Sequence, residues 1–295
     1  MASSRLVFGT GGRFGRLSPS RAQYLIDTAI ELGITSFDTG LFYCNGQSQI
    51  RLFSALRKHL EHSRSSFEIS TKFPPNSSLD VMNSWLNSTV DPWPHMHYID
   101  TLFVWGPSLK DVYSSELVSS LRLLLASGKV NSIGVNTHSA EVMTALPDSP
   151  LGSICECVMI DFNLLQQDRI PLLGAFASAG IKVWAGTALC QGFLFQSLPR
   201  MFLRTRSLSY LARAFFNKPT NLLLGRASKV RPLLKSKYPD HYKSIPLSYV
   251  LSHDHVAKVP IGMLSRQSMV ENIGISVSPV HPDILDGASK LCQLF

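Results

Sequence analysis

The sequence predicts a single α/β domain in which eight parallel strands close into a (β/α)8 barrel, with a helical insertion between the seventh and eighth strands. Two observations predict it. Short apolar runs alternate with stretches of helical periodicity along the whole chain, which is the pattern of repeated βα units and a parallel sheet. The length of 295 residues holds one such barrel, for which roughly 250 residues is typical, and leaves some for an excursion but none for a second full domain.

Residues 6–8 read as the first strand. Ser20 is the predicted cap of the helix that follows, whose Ala22, Leu25, Ile26, Ala29 and Ile30 share one face. Gly33 closes that helix. Residues 34–37 form the second strand and 67–71 the third. The fourth to seventh are 99–104, 132–135, 154–160 and 181–185, with helical patterns over 116–125 and 170–178 between them. Residues 256–261 supply the eighth.

Residues 196–243 exceed an ordinary connection and are too apolar for a loose loop, given Leu208, Leu211, Phe215 and the run Leu222, Leu223, Leu224. Two extra helices beside the barrel mouth are predicted, interrupted at Pro219 and Gly225. Residues 275–295 read as a short tail.

Composition narrows the function classes. The formal net charge is +8, and the excess is concentrated between Lys182 and Lys243, where Asp240 is the sole acid. Such a stretch favours anionic partners: a dinucleotide, an acidic substrate or a polyanion. Nucleic acid is the weakest of these readings and none is predicted as a partner: there is no recognised binding motif, and Tyr210, Phe215 and Phe216 are spaced for a packed helix instead of a stacking platform. No segment approaches the ~18 uninterrupted apolar residues of a membrane span. Met1 to Arg5 runs into the first strand without the apolar stretch of a secretory signal, so a cytoplasmic protein is predicted.

The five cysteines show no C-x-x-C pair and no zinc spacing, so no metal is predicted. Cys155 and Cys157, two apart on a strand, are expected on one face as reduced core or barrel-lining residues. Cys44 adjoins Tyr43 and offers a thiol at the mouth. His253 and His255 precede the eighth strand and read as structural. His138 follows the fifth strand, at the mouth.

The chemistry is carried by Phe37-Asp38-Thr39-Gly40-Leu41-Phe42-Tyr43 and by Ser70-Thr71-Lys72-Phe73. These place Asp38, Tyr43 and Lys72 at or just past the ends of two strands, where barrels of this kind collect their active sites. A carboxylate holds a lysine charged, and a charged ammonium lowers the pKa of a nearby phenol, so the three form an acid/base unit.

Those two segments resemble the F-D-T-A-x-x-Y and T-K segments of the aldo-keto reductases. Further landmarks follow in that family's order: Gly9-Thr10-Gly11, Tyr98-Ile99-Asp100, Gly128 to Val135, Asp161-Phe162-Asn163-Leu164-Leu165, Leu189 to Leu194, and Pro260-Ile261-Gly262 ahead of Glu271-Asn272. The resemblance implies a TIM barrel that binds NADPH and reduces a carbonyl, or oxidises an alcohol, with Tyr43 as general acid/base and Asp38 and Lys72 behind it. It further implies that the short tail leaves an open mouth suited to sugars or bulky secondary metabolites, while the basic stretch from Lys182 to Lys243 points to an anionic one.

The resemblance also marks departures. The family's catalytic histidine falls at Trp105, which can orient or cover a substrate but has no titratable nitrogen. The Ser-Asn pair and the Gln that hold the nicotinamide amide fall at Asn136-Thr137 and Met159, and the stacking aromatic falls at Gly186. His138 is a candidate stand-in imidazole at a position different from the family's. The phosphate end is better kept: Leu189, Gln191 and Gly192 resemble the loop over the pyrophosphate. Gly262, Ser265 and Arg266 precede or open a helix suited to a 2′-phosphate, favouring NADP over NAD, and Glu271 and Asn272 fall near the adenine. Two alternatives stay open: a redox-neutral lyase, dehydratase or isomerase on the same barrel, and a regulatory subunit that contacts a partner through residues 196–243. The oligomeric state is left open.

Overall fold

The computed structural model describes residues 5–75, 78–199 and 216–295. Its sheet is the predicted closed barrel, with strands β1 (Leu6–Gly9), β2 (Ser36–Asp38), β3 (Glu68–Phe73), β4 (Ile99–Trp105), β5 (Val130–Asn136), β6 (Cys155–Asp161), β7 (Lys182–Gly186) and β8 (Val256–Ile261) in sequence order. All pairs are parallel, and β8 returns to pair with β1 through Leu6↔Val259 and Phe8↔Ile261. Parallel strands need crossover helices, and these wrap the outside.

Period-two alternation divides the interior. Outward residues such as Leu6, Phe8, Phe37, Leu102, Val158 and Val183 join the helices in one continuous core. Inward ones, Val7, Phe103, Cys157, Met159 and Trp184, form a small plug inside the barrel. The expectation that Cys155 and Cys157 share a face does not hold. Ile133 pairs with Cys155 but Gly134 pairs with Cys157, so one extra residue, Glu156, bulges from β6. A bulge inverts the alternation: Cys155 packs in the outer core and Cys157 in the plug.

The first helix is Pro19–Glu31, and its cap is Ser18, whose Oγ accepts the Arg21 N–H at 3.2 Å. Ser20 lies inside it, because Pro19 with its fixed φ starts the helix one step earlier than Ser20 would. Ala22, Leu25, Ile26 and Ala29 are buried as expected. The helices Gln47–His62 and Leu79–Val90 complete the crossovers after β2 and β3.

Within the insertion, the helix Lys218–Lys237 runs unbroken through Gly225. Pro219 does not interrupt it either, since in the first turn a missing N–H breaks no intrahelical bond. The expectations for Leu208, Tyr210, Leu211 and Phe215 lie outside the described residues. The short tail is corrected: the helix Arg266–Val277 is followed by another, Pro282–Cys292, which buries Leu285, Ala288 and Cys292. Ser289 and Gln167 tie it to the loop after β6 through two hydrogen bonds of 2.9 and 3.1 Å. Among the described residues, no helix is long and apolar enough to cross a membrane.

Candidate active site

The C-terminal ends of the strands collect the residues singled out in the sequence. Asp38, Trp105, Asn136, Asp161 and Gly186 are the last residues of β2, β4, β5, β6 and β7; Lys72 is the penultimate residue of β3, and Gly262 follows β8. Register brings Trp105 beside Asn136 and Asp161 beside Gly186.

Asp38 and Lys72 meet in the interior, 3% and 2% exposed. The Lys72 ammonium donates to both Asp38 carboxylate oxygens at 2.6 Å and to the Thr39 carbonyl at 2.8 Å. Ser70, opposite Asp38 in the register, donates its Oγ proton to Asp38 Oδ1 at 2.8 Å. Burial pulls the Lys72 pKa down, but Asp38 and Tyr43, by charge and hydrogen bonding, more than reverse this and hold it above the ordinary lysine value. Lys72 is therefore an ammonium at neutral pH.

Tyr43 lies half-buried above this pair, its ring centroid 5.0 Å from Lys72 Nζ. At Gly40 a Cβ would stand at ordinary contact distance, 3.4 Å from Lys72 Cδ and 3.5 Å from the Tyr43 ring, so the backbone there runs directly beside both side chains. Behind Tyr43 the chain turns sharply through three left-handed residues, Cys44, Asn45 and Gly46, with φ of 51°, 55° and 82°. The turn delivers the helix Gln47–His62, and the Cys44 thiol donates to the Gly12 carbonyl at 3.0 Å. Trp105 is 37% exposed and packs against Phe42, with ring centroids 5.2 Å apart. Together they form an aromatic wall at the rim.

The residues expected around the nicotinamide are occupied with one another. Asn136 is buried and donates through Nδ2 to the Met159 carbonyl at 3.1 Å, which also accepts the Thr137 N–H at 3.1 Å. The Met159 side chain belongs to the apolar plug. At Gly186 a Cβ would stand 3.2 Å from the Ile160 carbonyl oxygen, so a larger residue there needs a backbone shift.

After β7 the chain bends tightly through Thr187, Cys190, Gln191 and Gly192, all at positive φ. Leu189, Gln191 and Gly192 lie partly exposed on this bend. Gly262 is exposed, and a Cβ there would meet only the Gly9 carbonyl, at 3.9 Å, so the space above it is open. Ser265 caps the helix Arg266–Val277 by accepting the Ser268 N–H at 3.1 Å. The exposed Arg266 pairs with Glu31 at 3.1 Å. Glu271 is exposed and accepts from Gln267, whereas Asn272 is buried.

The sequence reasoning passed over Ser70 and Thr39 as partners of the ion pair, and passed over a polar cluster at the ends of β6 and β7. There His138 Nδ1 bonds Asp161 Oδ2 at 2.7 Å, Thr187 donates to Asp161 Oδ1 at 3.1 Å, and Arg169 donates to the Asp161 carbonyl. Burial pushes the Asp161 carboxyl up, but the His138 hydrogen bond and charge, Arg169 and Thr187 together bring it below the usual carboxylate range. The strand-end position of Asp161 was the available signal. His138 is committed to Asp161 in this cluster and does not occupy the position of Trp105.

Comparison with known proteins agrees with this architecture. L-galactose dehydrogenase of Arabidopsis thaliana is 24% identical over 276 residues, covering 89% of this chain and 80% of that protein. An aldo-keto reductase from Bacillus halodurans, in its holo form, superposes with a TM-score of 0.76 at 19% identity over 98% of this chain and 92% of that one. One from Klebsiella pneumoniae, in complex with NADPH, gives a TM-score of 0.73 at 18% identity over 97% and 90%. The model of the aldo/keto reductase family matches residues 5–283, and the chain belongs to that family.

Proposed function

We propose that this chain is an NADP-dependent oxidoreductase that reduces a carbonyl, or oxidises an alcohol, of a sugar or secondary metabolite. The observation that carries the proposal is the buried Asp38–Lys72 pair set under the Tyr43 ring at the open end of the barrel. In this reading Tyr43 gives its phenolic proton to the carbonyl oxygen. Lys72, held charged by Asp38, stabilises the phenolate left behind, and water returns the proton. Phe42 and Trp105 offer an aromatic face to the apolar C–H face of a substrate ring.

The residues fit a dinucleotide at its phosphate end. The bend Leu189 to Gly192 and the open space above Gly262 admit a pyrophosphate. The N-terminus of the helix Arg266–Val277, with Ser265 as its cap and Arg266 able to exchange Glu31 for a ligand oxygen, suits a 2′-phosphate. Glu271 and Asn272 lie one turn further along that helix. At the other end Asn136 and Thr137, buried and bonded to the Met159 carbonyl, back the nicotinamide position, with the Met159 side chain in the plug beneath. NADPH, when bound, supplies the hydride. Support comes from the Klebsiella pneumoniae structure, whose complex contains NADPH, and from the plant relative, whose name assigns it a sugar substrate.

The test is titration of purified protein with NADPH followed by cofactor fluorescence, then a screen of aldoses and ketones for oxidation of the bound cofactor. Saturable binding and turnover are expected; absence of binding at high micromolar cofactor overturns the reading. The commitment of Asn136 Nδ2 to the Met159 carbonyl favours a second reading, redox-neutral lyase or isomerase chemistry on the same trio. That reading requires turnover that depends on Tyr43 with no change in nicotinamide absorbance.

A further inference from the structure

The loop after β6 and the start of the helix Lys218–Lys237 face each other across a cleft of about 370 Å³. Asp38, Lys72 and Tyr43 are not among the residues that line it. Three cationic side chains line it, Arg169, Lys218 and Arg226, against one carboxylate, Asp168, with Pro219 and Leu222 as an apolar wall. Two of the cations are anchored: Arg226 donates to the Leu165 carbonyl at 2.9 Å, and Arg169 to the Asp161 carbonyl. A guanidinium has five N–H donors, so one such anchor orients the group without exhausting it. Among the described residues none of the three forms an ion pair. The helix that carries Lys218 and Arg226 has no acid along its length, so it brings no counter-charge to the cleft.

Anchored guanidinium forks beside an exposed ammonium are the donor set that phosphate and carboxylate oxygens match, and here they line one open cleft from two segments. The apolar wall selects an anion carried on an organic body. We propose that this cleft binds the phosphate or carboxylate group of a small organic anion, with the apolar part of that molecule lying on Pro219 and Leu222. The group can belong to the reacting molecule itself or to a separate effector, and the recognition chemistry is the same for both. The proposal stands on the cleft and does not depend on hydride transfer.

Isothermal titration of the full chain with phenyl phosphate, and with inorganic phosphate in parallel, tests it, each with and without excess NADP. Expected are one saturable site for phenyl phosphate that persists in NADP, and tighter binding of phenyl phosphate than of inorganic phosphate. Lys218→Gln/Arg226→Gln should weaken binding on the order of tenfold or more, the loss expected for two charge-assisted hydrogen bonds. Leu222→Ser should remove the preference for the aryl group. The exposed Lys218→Gln single variant keeps the test valid if the double variant folds poorly. No binding, displacement by NADP, or undiminished affinity in variants that melt like the wild type overturns the proposal. Competition with a turned-over substrate assigns the anion to the reacting molecule, and non-competitive inhibition assigns it to an effector. A protein that fails to bind NADP yet passes the other arms separates this site from the proposed oxidoreductase activity.

Discussion

Replacing Lys72 with methionine removes the ammonium and leaves the Asp38 carboxylate, 3% exposed, with Ser70 Oγ as its remaining side-chain donor. Breaking a buried pair by deleting one partner costs about 3–5 kcal/mol, because the other charge stays buried without compensation. With an unfolding entropy near ~2 cal/mol/K per residue, a chain of this length loses roughly 2 °C in Tm per kcal/mol, so Lys72→Met should melt about 5–10 °C below the wild type at pH 7. The deficit should depend on pH in a definite sense. At the alkaline end the folded Lys72 pKa is raised. Its contribution is fully present below the unfolded value of about 10.4 and is lost as pH rises through the higher folded value, so the two proteins converge there. Thermal unfolding followed by circular dichroism across this range is the assay. A variant that melts within about 1 °C of the wild type at pH 7, below the cost of even a weak buried pair, refutes the reasoning, as does a deficit that ignores pH.

Tyr43→Phe should lower turnover by about 10²–10⁴-fold in steady-state kinetics while lowering the melting temperature by only a few degrees, since a positioned acid/base and its hydrogen bond to Lys72 are lost but the ring is kept. Gly134→Ala should destabilise by about 1–3 kcal/mol in denaturant titrations, because its Cβ would stand 2.6 Å from the Phe103 ring inside the plug. His138→Ala should cost no more than ~1 kcal/mol, as His138 is 54% exposed. The folded Asp161 carboxyl is depressed, so the stability it contributes is present above its unfolded value of about 3.9 and disappears as pH falls through the folded one. The gap between His138→Ala and wild type should therefore close in acid, as read from melting curves between pH 3 and 7.

The barrel was legible because each strand is a short apolar run bounded by turn residues, and because strand ends coincide with the polar residues of interest. Asp38, Lys72 and Tyr43 could be grouped for the same reason, since adjacent parallel strands bring their C-terminal ends together. What the pattern did not carry was register. Nothing in Cys155-Glu156-Cys157 announces a bulge, because an exposed acid between two buried cysteines reads as ordinary alternation. The helix Pro282–Cys292 was hidden behind Pro279 and Pro282, which look like the end of structure but serve here as a connection and a first turn. Gly225 was misread as a break because a helix packed on one face tolerates a glycine on its other side. The occupation of Asn136 by the Met159 carbonyl is a three-dimensional fact that no spacing reveals.

The extra residue at Glu156 has a consequence for how this barrel can change over time. It divides β6 into two stretches whose inside and outside are set independently, like a zipper with a spare tooth. Substitutions and small length changes in the loop before Cys155 can be absorbed there without rotating Met159 or Asp161 away from the mouth. Deleting Glu156 itself would join Cys155 directly to Cys157 as an ordinary outward–inward pair, so both stretches would keep their faces and only the spare residue would be lost. The site at the rim thereby tolerates drift at the base of the strand that carries it.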